Sequence, residues 1–176
     1  AAVLNQVYEQ DTDALMRRTR HRPLPDGRVG AADARMFGLA LSVAGLGTLA
    51  FANGLATLLA LVTLVTYLLV YTPMKRRSEM ATLVGAVPGA LPPLIGWAAA
   101  RGSTSIAAWS LFAIVFLWQV PHFMAIAWMF RDDFRKAGFP MLPVVEPDGR
   151  RAGRQALLFS AALVPVSLVP ALVGMT

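Results

Sequence analysis

The stretch GLATLLALVTLVTYLLVYTP, residues 54–73, contains no charged side chain in twenty consecutive positions. An α-helix rises about 1.5 Å per residue, so a helix of this length covers the hydrocarbon core of a bilayer, which is about 30 Å thick. A helix on the surface of a soluble protein would carry charged residues on its outer face. The stretch therefore predicts a helix that crosses a membrane.

Four further stretches of similar character lie around it, at residues 35–52, 80–100, 105–130 and 154–174. We expect the prolines inside them to kink the helices without ending them, because neighbouring groups in a bundle re-satisfy the freed backbone. The first dozen residues are typical of the last turns of one more helix. We predict an all-α fold, a polytopic transmembrane helical bundle with about five full spans. We interpret residues 1–176 as a single transmembrane domain that is truncated at both ends.

The composition of the whole chain supports a membrane protein. Of its 176 residues, 56% are hydrophobic and 15% are charged, whereas about 25% of the residues in a soluble domain are charged. The sequence contains no cysteine, which excludes disulfides and thiolate metal sites. A net charge of +6 is also found in proteins that bind nucleic acid, but no zinc pattern or aromatic-rich basic motif accompanies it. We therefore expect a lipid bilayer as a partner, and no nucleic acid.

Threading the predicted spans alternately across a bilayer separates the charges. Loops 13–34, 74–79 and 131–154 fall on one side, and every Lys, Arg, Asp and Glu except Arg101 lies on that side or at its boundary. Loops rich in Lys and Arg face the cytoplasm, so we expect this side to be cytoplasmic. Acidic residues contribute little to orientation. Their concentration on one side therefore needs another reason, and a functional site is the natural candidate.

Three polar residues near the amino end are spaced four apart. Asn5, Glu9 and Asp13 advance by about 40° per step around a helix, so they form a ladder along one face. Oxygen ligands of this kind suit a hard divalent cation such as Mg²⁺, which also takes phosphate oxygens. The alternative is a polar helix end at the membrane interface, paired with Arg17 and Arg18. Polar groups at membrane depth are costly and mark functional sites, which favours the metal site.

Basic residues follow the ladder and recur in two other loops. The segments are RRTRHRP at 17–23, KRR at 75–77 and RDDFRK at 131–136. Guanidinium groups bind phosphate oxygens in a bidentate fashion, although such clusters also anchor a protein to anionic lipids. Two of these loops combine acids with bases on the same side of the membrane. That combination is what a metal–diphosphate site requires, because the acids hold the metal and the bases neutralise the departing diphosphate.

His122 lies within the fourth span, in the segment FLWQVPHFMAIAW at 116–128. A single histidine inside a membrane most often forms a hydrogen bond between helices. It can also bind or orient a ligand in a cavity, because neutral imidazole is a common metal ligand. Both interpretations stay open on the residues alone.

Taken together, these segments resemble the intramembrane aromatic prenyltransferases, and within them the protohaem IX farnesyltransferases. NQVYEQDTDALMRRTRHRPL resembles the first aspartate-rich motif of that family, and YTPMKRRS, GAVPGALPPLIGWAA, FLWQVPHFMAIAW and DDFRKAGFPMLPVV resemble its later segments in order. The resemblance covers nearly the whole chain. It implies a helical membrane enzyme that transfers a farnesyl group from farnesyl diphosphate to a vinyl group of haem b, with Mg²⁺ as cofactor, for haem O and haem A biosynthesis.

The resemblance also implies roles for individual residues. The residues with metal and catalytic roles would be Asn5, Glu9, Asp13 and Asp133. The residues that contact diphosphate would be Arg18, Arg22, Lys75 and Arg76, and Lys75 would also be catalytic. His122 would lie near the porphyrin. This sequence departs from the family pattern at three places. Glu9 stands where many relatives have Asp, Ala81 stands where many have Asn, and the second acidic loop lacks a clean D-x-x-x-D. How a second metal is held is therefore open.

The resemblance further implies an integral multi-pass protein of the bacterial inner membrane, with a haem A synthase or a terminal oxidase assembly as candidate protein partners. Three alternatives stay open. A sister prenyltransferase would act on a quinone precursor such as 4-hydroxybenzoate. A membrane transporter would place its acids in the middle of the spans, whereas here they gather at one face. The 176 residues alone could also be an inactive fragment.

Overall fold

The computed structural model describes residues 1–175 and contains, within that range, helices and loops but no β-strand. A π-helical turn, Thr66–Tyr71, joins α4 to α5. The α-helices are α1 (Ala2–Tyr8), α2 (Gln10–Leu15), α3 (Ala31–Ala52), α4 (Gly54–Val65), α5 (Thr72–Met74), α6 (Ala81–Arg101), α7 (Ile106–Met129), α8 (Arg131–Lys136), α9 (Leu142–Val145), α10 (Arg150–Ser167) and α11 (Val169–Leu172).

Five helical stretches are long and apolar enough to cross a membrane, which confirms the predicted all-α membrane bundle. They are Ala31–Ala52, Gly54–Met74, Ala81–Arg101, Ile106–Met129 and Arg150–Leu172. The bounds differ from the predicted ones by at most four residues. The first residues are helical as expected, but they form two short helices that meet at Glu9, whose backbone angles (φ −100°, ψ 10°) depart from the helical values.

Prolines lie inside the long helices without ending them, as predicted. α6 contains Pro88, Pro92 and Pro93, and α7 contains Pro121. The buried face of α6 consists mainly of small residues, which lets neighbouring helices approach closely. α7 packs between α6 and α10, α6 also packs on α4, and α1 packs on α3.

One end of the bundle has short, almost uncharged connections. Asn53 is extended and separates α3 from α4; its Oδ1 accepts a hydrogen bond from the Ala56 N–H at 2.9 Å, which caps α4. Its Nδ2 donates to the Ala98 carbonyl at 2.8 Å. Gly102, with φ +69°, then ends α6 in the left-handed conformation that glycine adopts most easily. The α3–α4 and α6–α7 connections therefore lie together.

The opposite end carries the charged loops, and we call it the charged face; it comprises residues 13–30, 75–80 and 130–149. Ion pairs connect two of its loops through Arg151, which lies next to them in the first turn of α10. Arg151 Nη2 lies 2.8 Å from Glu79 Oε1, and its Nη1 lies 2.6 Å from Glu146 Oε1. This arrangement agrees with the charge separation obtained by threading the sequence across a bilayer.

Candidate active site

A cavity of about 360 Å³ opens between the amino-terminal helices, the π-helical turn, α6 and α7. Its charged end is formed by the ladder, by the loop after α2 and by the residue that follows α5. Six of the residues predicted for the site line it: Asn5, Glu9, Asp13, Arg18, Arg22 and Lys75.

The ladder is buried and continuous. Asn5 and Glu9 are each 5% exposed and Asp13 is 1% exposed. The Glu9 N–H donates to the Asn5 carbonyl at 2.9 Å and the Asp13 N–H donates to the Glu9 carbonyl at 2.8 Å. Helical hydrogen bonding therefore continues through the irregular backbone at Glu9 and keeps the three side chains on one face. The Asn5 amide also donates to Glu9 Oε2 at 2.6 Å.

Two cations pair with these carboxylates. Lys75 Nζ lies 3.0 Å from Glu9 Oε1 and 3.1 Å from Oε2, and it is 4.6 Å from the centre of the Tyr71 ring. Arg22 Nη1 lies 2.8 Å from Asp13 Oδ2. The alternative for the ladder was a polar helix end paired with Arg17 and Arg18. In the structure the acids are buried, and their partners are Lys75 and Arg22 instead.

Arg18 contributes a third cation to the cavity. Its guanidinium carbon lies 5.3 Å from the centre of the Phe130 ring and 5.9 Å from the centre of the Phe134 ring. Such contacts hold an arginine in place while its N–H groups stay available. The charged end therefore combines two carboxylates with three cations, which leaves it with net positive charge for an anionic ligand.

The donor set at this end fits a hard divalent metal. Glu9 Oε1 is buried and accepts no hydrogen bond from the described residues, although the Lys75 ammonium lies close to it. Within residues 1–175, no three His, Cys, Asp or Glu side chains are grouped around one point. A metal here would be held by the Asn5 amide and two carboxylates. Mg²⁺ fits such a set, since it commonly uses one or two carboxylates together with substrate phosphates and water.

Three of the predicted residues lie outside the cavity lining. Arg76 is exposed, with its guanidinium carbon 5.8 Å from the centre of the Tyr8 ring. His122 is exposed on α7 and stacks on Trp118, with ring centres 4.7 Å apart. The structure therefore does not bring these two side chains to the ladder.

Asp133, the third of these residues, is 4% exposed and faces the loop after α2. Its Oδ2 accepts a hydrogen bond from the Arg18 N–H at 3.3 Å, and its Oδ1 lies 3.7 Å from Arg17 Nε. In this position Asp133 connects α8 to the segment that carries the basic residues of the site.

Sequence reasoning missed several side chains of the cavity. Tyr67 and Tyr71 project into it from the π-helical turn, with ring centres 5.2 Å apart. Their spacing was a usable signal: Tyr67, Tyr71 and Lys75 are four residues apart, as the acids of the ladder are. Gln119 was also missed, although it belongs to the segment that was singled out for His122.

Two glycines of α6 make room for these side chains. A Cβ at Gly85 would overlap the Tyr71 ring, and a Cβ at Gly89 would overlap the Gln119 carboxamide. Both glycines line the cavity. The small residues that the sequence marks in GAVPGALPP therefore shape the wall of the site as well as the packing of the helices.

Known proteins resemble this chain along its whole length. The Protoheme IX farnesyltransferase of Solibacter usitatus (strain Ellin6076) is 54% identical over 176 residues, which cover 99% of this chain and 60% of that protein. The proteins of the same name from Opitutus terrae (strain DSM 11246 / JCM 15787 / PB90-1) and Koribacter versatilis (strain Ellin345) are 47% and 46% identical; they cover 99% and 96% of this chain. The matches cover 60% and 55% of those two proteins, respectively. The chain thus spans 55% to 60% of the length of these relatives.

No solved structure matches the chain. The sequence profile of the UbiA prenyltransferase family matches residues 1–176. This match removes the transporter alternative, and it agrees with a helical membrane enzyme whose cavity has one charged end. The chain belongs to the UbiA prenyltransferase family.

Proposed function

We propose that the full-length protein transfers a farnesyl group from farnesyl diphosphate to a vinyl carbon of haem b, giving haem O and diphosphate. The polarity of the cavity is the observation that supports this proposal. Its charged end carries two buried carboxylates and three cations, and the rest of its wall includes Phe123, Ile126 and Phe139. Such a cavity accommodates a molecule with a diphosphate at one end and a hydrocarbon chain at the other. The identity of the acceptor is inferred from the names of the relatives.

Asn5, Glu9 and Asp13 would hold Mg²⁺ at the charged end, and Arg18, Arg22 and Lys75 would bind the diphosphate. Mg²⁺ supplies neutralising positive charge to phosphate oxygens when it is bound. The three cationic side chains stabilise the charge that develops on the leaving oxygen as the bond to the allylic carbon breaks. Because these groups are already positioned around the cavity, they act by electrostatic preorganisation.

The apolar part of the cavity would hold the isoprenoid chain and keep bulk water from the allylic cation. The Tyr67 and Tyr71 rings lie beside the charged end and present electron-rich faces, which attract cationic centres. The nucleophile is the terminal vinyl carbon of the haem, which forms the new carbon–carbon bond. Diphosphate leaves with the electron pair of the broken bond. The positive charge that remains on the inner vinyl carbon is removed when a water oxygen bonds there and the water loses a proton, which gives the hydroxyl group of haem O.

The roles proposed for Asp133, Arg76 and His122 rest on their positions outside the lining of the cavity. Asp133 would position Arg17 and Arg18 through its contacts with their segment, in addition to its proposed metal role. Arg76 would attract diphosphate at the entrance of the cavity. His122 would contact the porphyrin from the outer face of α7, where its ring is accessible.

The chain is an integral multi-pass membrane protein. We infer that it resides in a bacterial inner membrane with the charged face in the cytoplasm, and that residues 1–176 are one truncated transmembrane domain. A haem A synthase or a terminal oxidase assembly would receive the product. The sister activity on 4-hydroxybenzoate remains the second candidate, because it would use the same charged end.

Expression of the full-length protein in bacteria that lack this enzyme tests the proposal. We expect haem extracts to contain farnesylated haem, and we expect Asp13→Asn to lower its amount on the order of 100-fold, because one electrostatic contact to the transition state commonly contributes this much. Asp26→Asn is the matched control, since Asp26 also pairs with an arginine of the same loop at 2.9 Å but is exposed. Prenylated 4-hydroxybenzoate without farnesylated haem would favour the sister activity, and full activity of Asp13→Asn would remove Asp13 from the site.

A further inference from the structure

Gln119 is a buried polar side chain in the middle of a membrane-spanning helix. It is 7% exposed and lines the cavity together with Gly89. Ten residues separate it from the end of α7 at Met129, so it lies about 15 Å below the charged face. A polar side chain at this depth is costly and marks a function by default.

The orientation of its carboxamide follows from its neighbours. Nε2 lies 3.3 Å from the Ala86 carbonyl oxygen and 3.3 Å from the Val115 carbonyl oxygen. Both neighbours are acceptors only, so the nitrogen must point toward them. The oxygen, Oε1, therefore points away from these carbonyls and lies against Gly89, in the wall of the cavity, and no described residue donates a hydrogen bond to it.

Gly89 makes this orientation possible. The Gln119 carboxamide occupies the space that a Cβ at position 89 would fill. Gly96 lies on the same helix, and a Cβ there would meet no atom within 4 Å. The packing at Gly89 is thus specific to the side chain of Gln119.

The hydrogen-bond acceptor atom, Gln119 Oε1, lies at a definite depth in the cavity. Lys75 marks the charged end, Tyr71 follows beside Gly85, and Gln119 follows beside Gly89. Gly85 and Gly89 are four residues apart, which corresponds to about 6 Å along the helix. Gln119 Oε1 therefore lies about one turn deeper than the ring beside the diphosphate end.

Gln119 Oε1 receives no hydrogen bond from the described residues, so a donor from within the cavity would be favourable. The cavity of about 360 Å³ is much larger than one water molecule, which takes about 30 Å³ in the liquid. A single water held on Oε1 is compatible with an otherwise apolar wall. It would be separated from bulk water by the occupied charged end.

We propose that Gln119 positions the water that completes the reaction, an inference that rests on the proposed function. When the vinyl carbon bonds to the farnesyl carbon and diphosphate leaves, the positive charge resides on the neighbouring carbon, which is attached to the porphyrin. The water oxygen bonds to this carbon, one of its protons passes to the departing diphosphate, and a hydroxyl group results. Gln119 Oε1 accepts a hydrogen bond from the water and directs its lone pair at the cation.

Without a positioned water, the cation would lose a proton from the adjacent carbon and form an alkene. That product is lighter by one water and is distinguished by mass spectrometry. The ratio of hydroxylated to alkene product therefore reports on the water, whereas the rate of diphosphate release reports on the step before it. If Gln119 had a purely structural role, its replacement would lower the rate of diphosphate release and leave the ratio of hydroxylated to alkene product unchanged.

The experiment uses the full-length enzyme with haem b, farnesyl diphosphate and Mg²⁺. We expect Gln119→Leu to lower the product ratio at least tenfold with diphosphate release changed less than threefold. Gln119→Glu keeps an acceptor oxygen and is expected to retain more hydroxylated product than Gln119→Leu. Gly89→Ala displaces the carboxamide and is expected to lower the ratio as well, whereas Gly96→Ala is its control and should leave it unchanged.

An unchanged product ratio in Gln119→Leu would overturn the proposal. If that variant fails to accumulate in the membrane, the ratio in Gly89→Ala decides in the same way. Failure of the proposed function is distinct, because the unaltered enzyme would then give no farnesylated haem of either mass.

Discussion

The carboxylates of Glu9 and Asp13 are each paired with a cation of the protein. Lys75 lies within 3.1 Å of both Glu9 carboxylate oxygens, and Arg22 lies 2.8 Å from Asp13. Each carboxylate is thus neutralised by a cation that can also bind diphosphate. A metal that arrives alone must compete with these cations, whereas a metal that arrives with diphosphate supplies the cations with a new partner. The arrangement favours joint binding of metal and diphosphate.

Replacement of Lys75 by Met is expected to change metal binding in opposite directions without and with diphosphate. Removing the ammonium leaves the Glu9 carboxylate available, and two unit charges 4 Å apart interact by about 4 kcal/mol near a protein surface. We therefore expect Mn²⁺ alone to bind the full-length Lys75→Met protein at least tenfold more tightly than the unaltered protein. In the presence of inorganic diphosphate, the variant is expected to bind Mn²⁺ more weakly than the unaltered protein.

Electron paramagnetic resonance of free and bound Mn²⁺ measures both affinities in detergent. Arg28→Met is the control, because Arg28 also pairs with a carboxylate, that of Asp26, but lies on the surface. Equal Mn²⁺ affinity of Lys75→Met and the unaltered protein without diphosphate would show that Lys75 does not occupy the metal position.

At the scale of elements, the π-helical turn and α6 act together. In the turn Thr66–Tyr71 the backbone hydrogen bonds span five residues instead of the four of an α-helix, and such turns are frequent at functional sites. Tyr71 extends from it into the niche at Gly85, where its ring lies under the Lys75 ammonium. The position of Lys75, a cation proposed to bind diphosphate, thus depends on a glycine of another helix.

Gly85→Ala is expected to raise the KM for farnesyl diphosphate by about twofold to thirtyfold. The added Cβ overlaps the Tyr71 ring, so the ring must move away from Lys75, and a cation–π contact contributes about 0.5–2 kcal/mol. Helix stability is not the cause, since alanine is the better helix former by about 1 kcal/mol. Steady-state kinetics of the full-length enzyme measure the effect, with Gly96→Ala as control. An unchanged KM would show that Tyr71 does not hold Lys75 in a binding position.

The limits of prediction from sequence are visible in the same elements. The spans were predictable because apolar runs of about twenty residues have one main explanation in proteins, and the ladder was predictable because a spacing of four persists on any helix. Tyr71 was overlooked although it lies four residues from Tyr67 and from Lys75, whereas Gln119 is a single neutral polar residue inside a span and has no periodic signal of its own. Their roles depend on glycines of α6, and that pairing between distant segments exists only in the folded chain.

At the scale of the molecule, the charged loops and the charged end of the cavity lie at the same face. Ion pairs join loops that are far apart in sequence, such as Arg151 with Glu79, and Asp133 contacts the segment after α2. The opposite end is closed by Asn53 and contains Arg101 as its charged residue within residues 1–175. One end of the bundle can therefore receive a charged substrate head, while the other provides a short, nearly neutral closure.

Cysteine labelling tests on which side of the membrane the charged face lies. The 176 residues contain no cysteine, so single cysteines placed here in a full-length protein without other cysteines report one position each. Asp148 lies on the charged face and Ser103 at the opposite end, and both are exposed. Since loops rich in Lys and Arg remain in the cytoplasm, we expect Asp148→Cys to react with a membrane-impermeant maleimide in inverted vesicles and Ser103→Cys to react in intact spheroplasts. The reverse pattern would place the charged end of the cavity outside the cytoplasm, where farnesyl diphosphate made in the cytoplasm would not reach it.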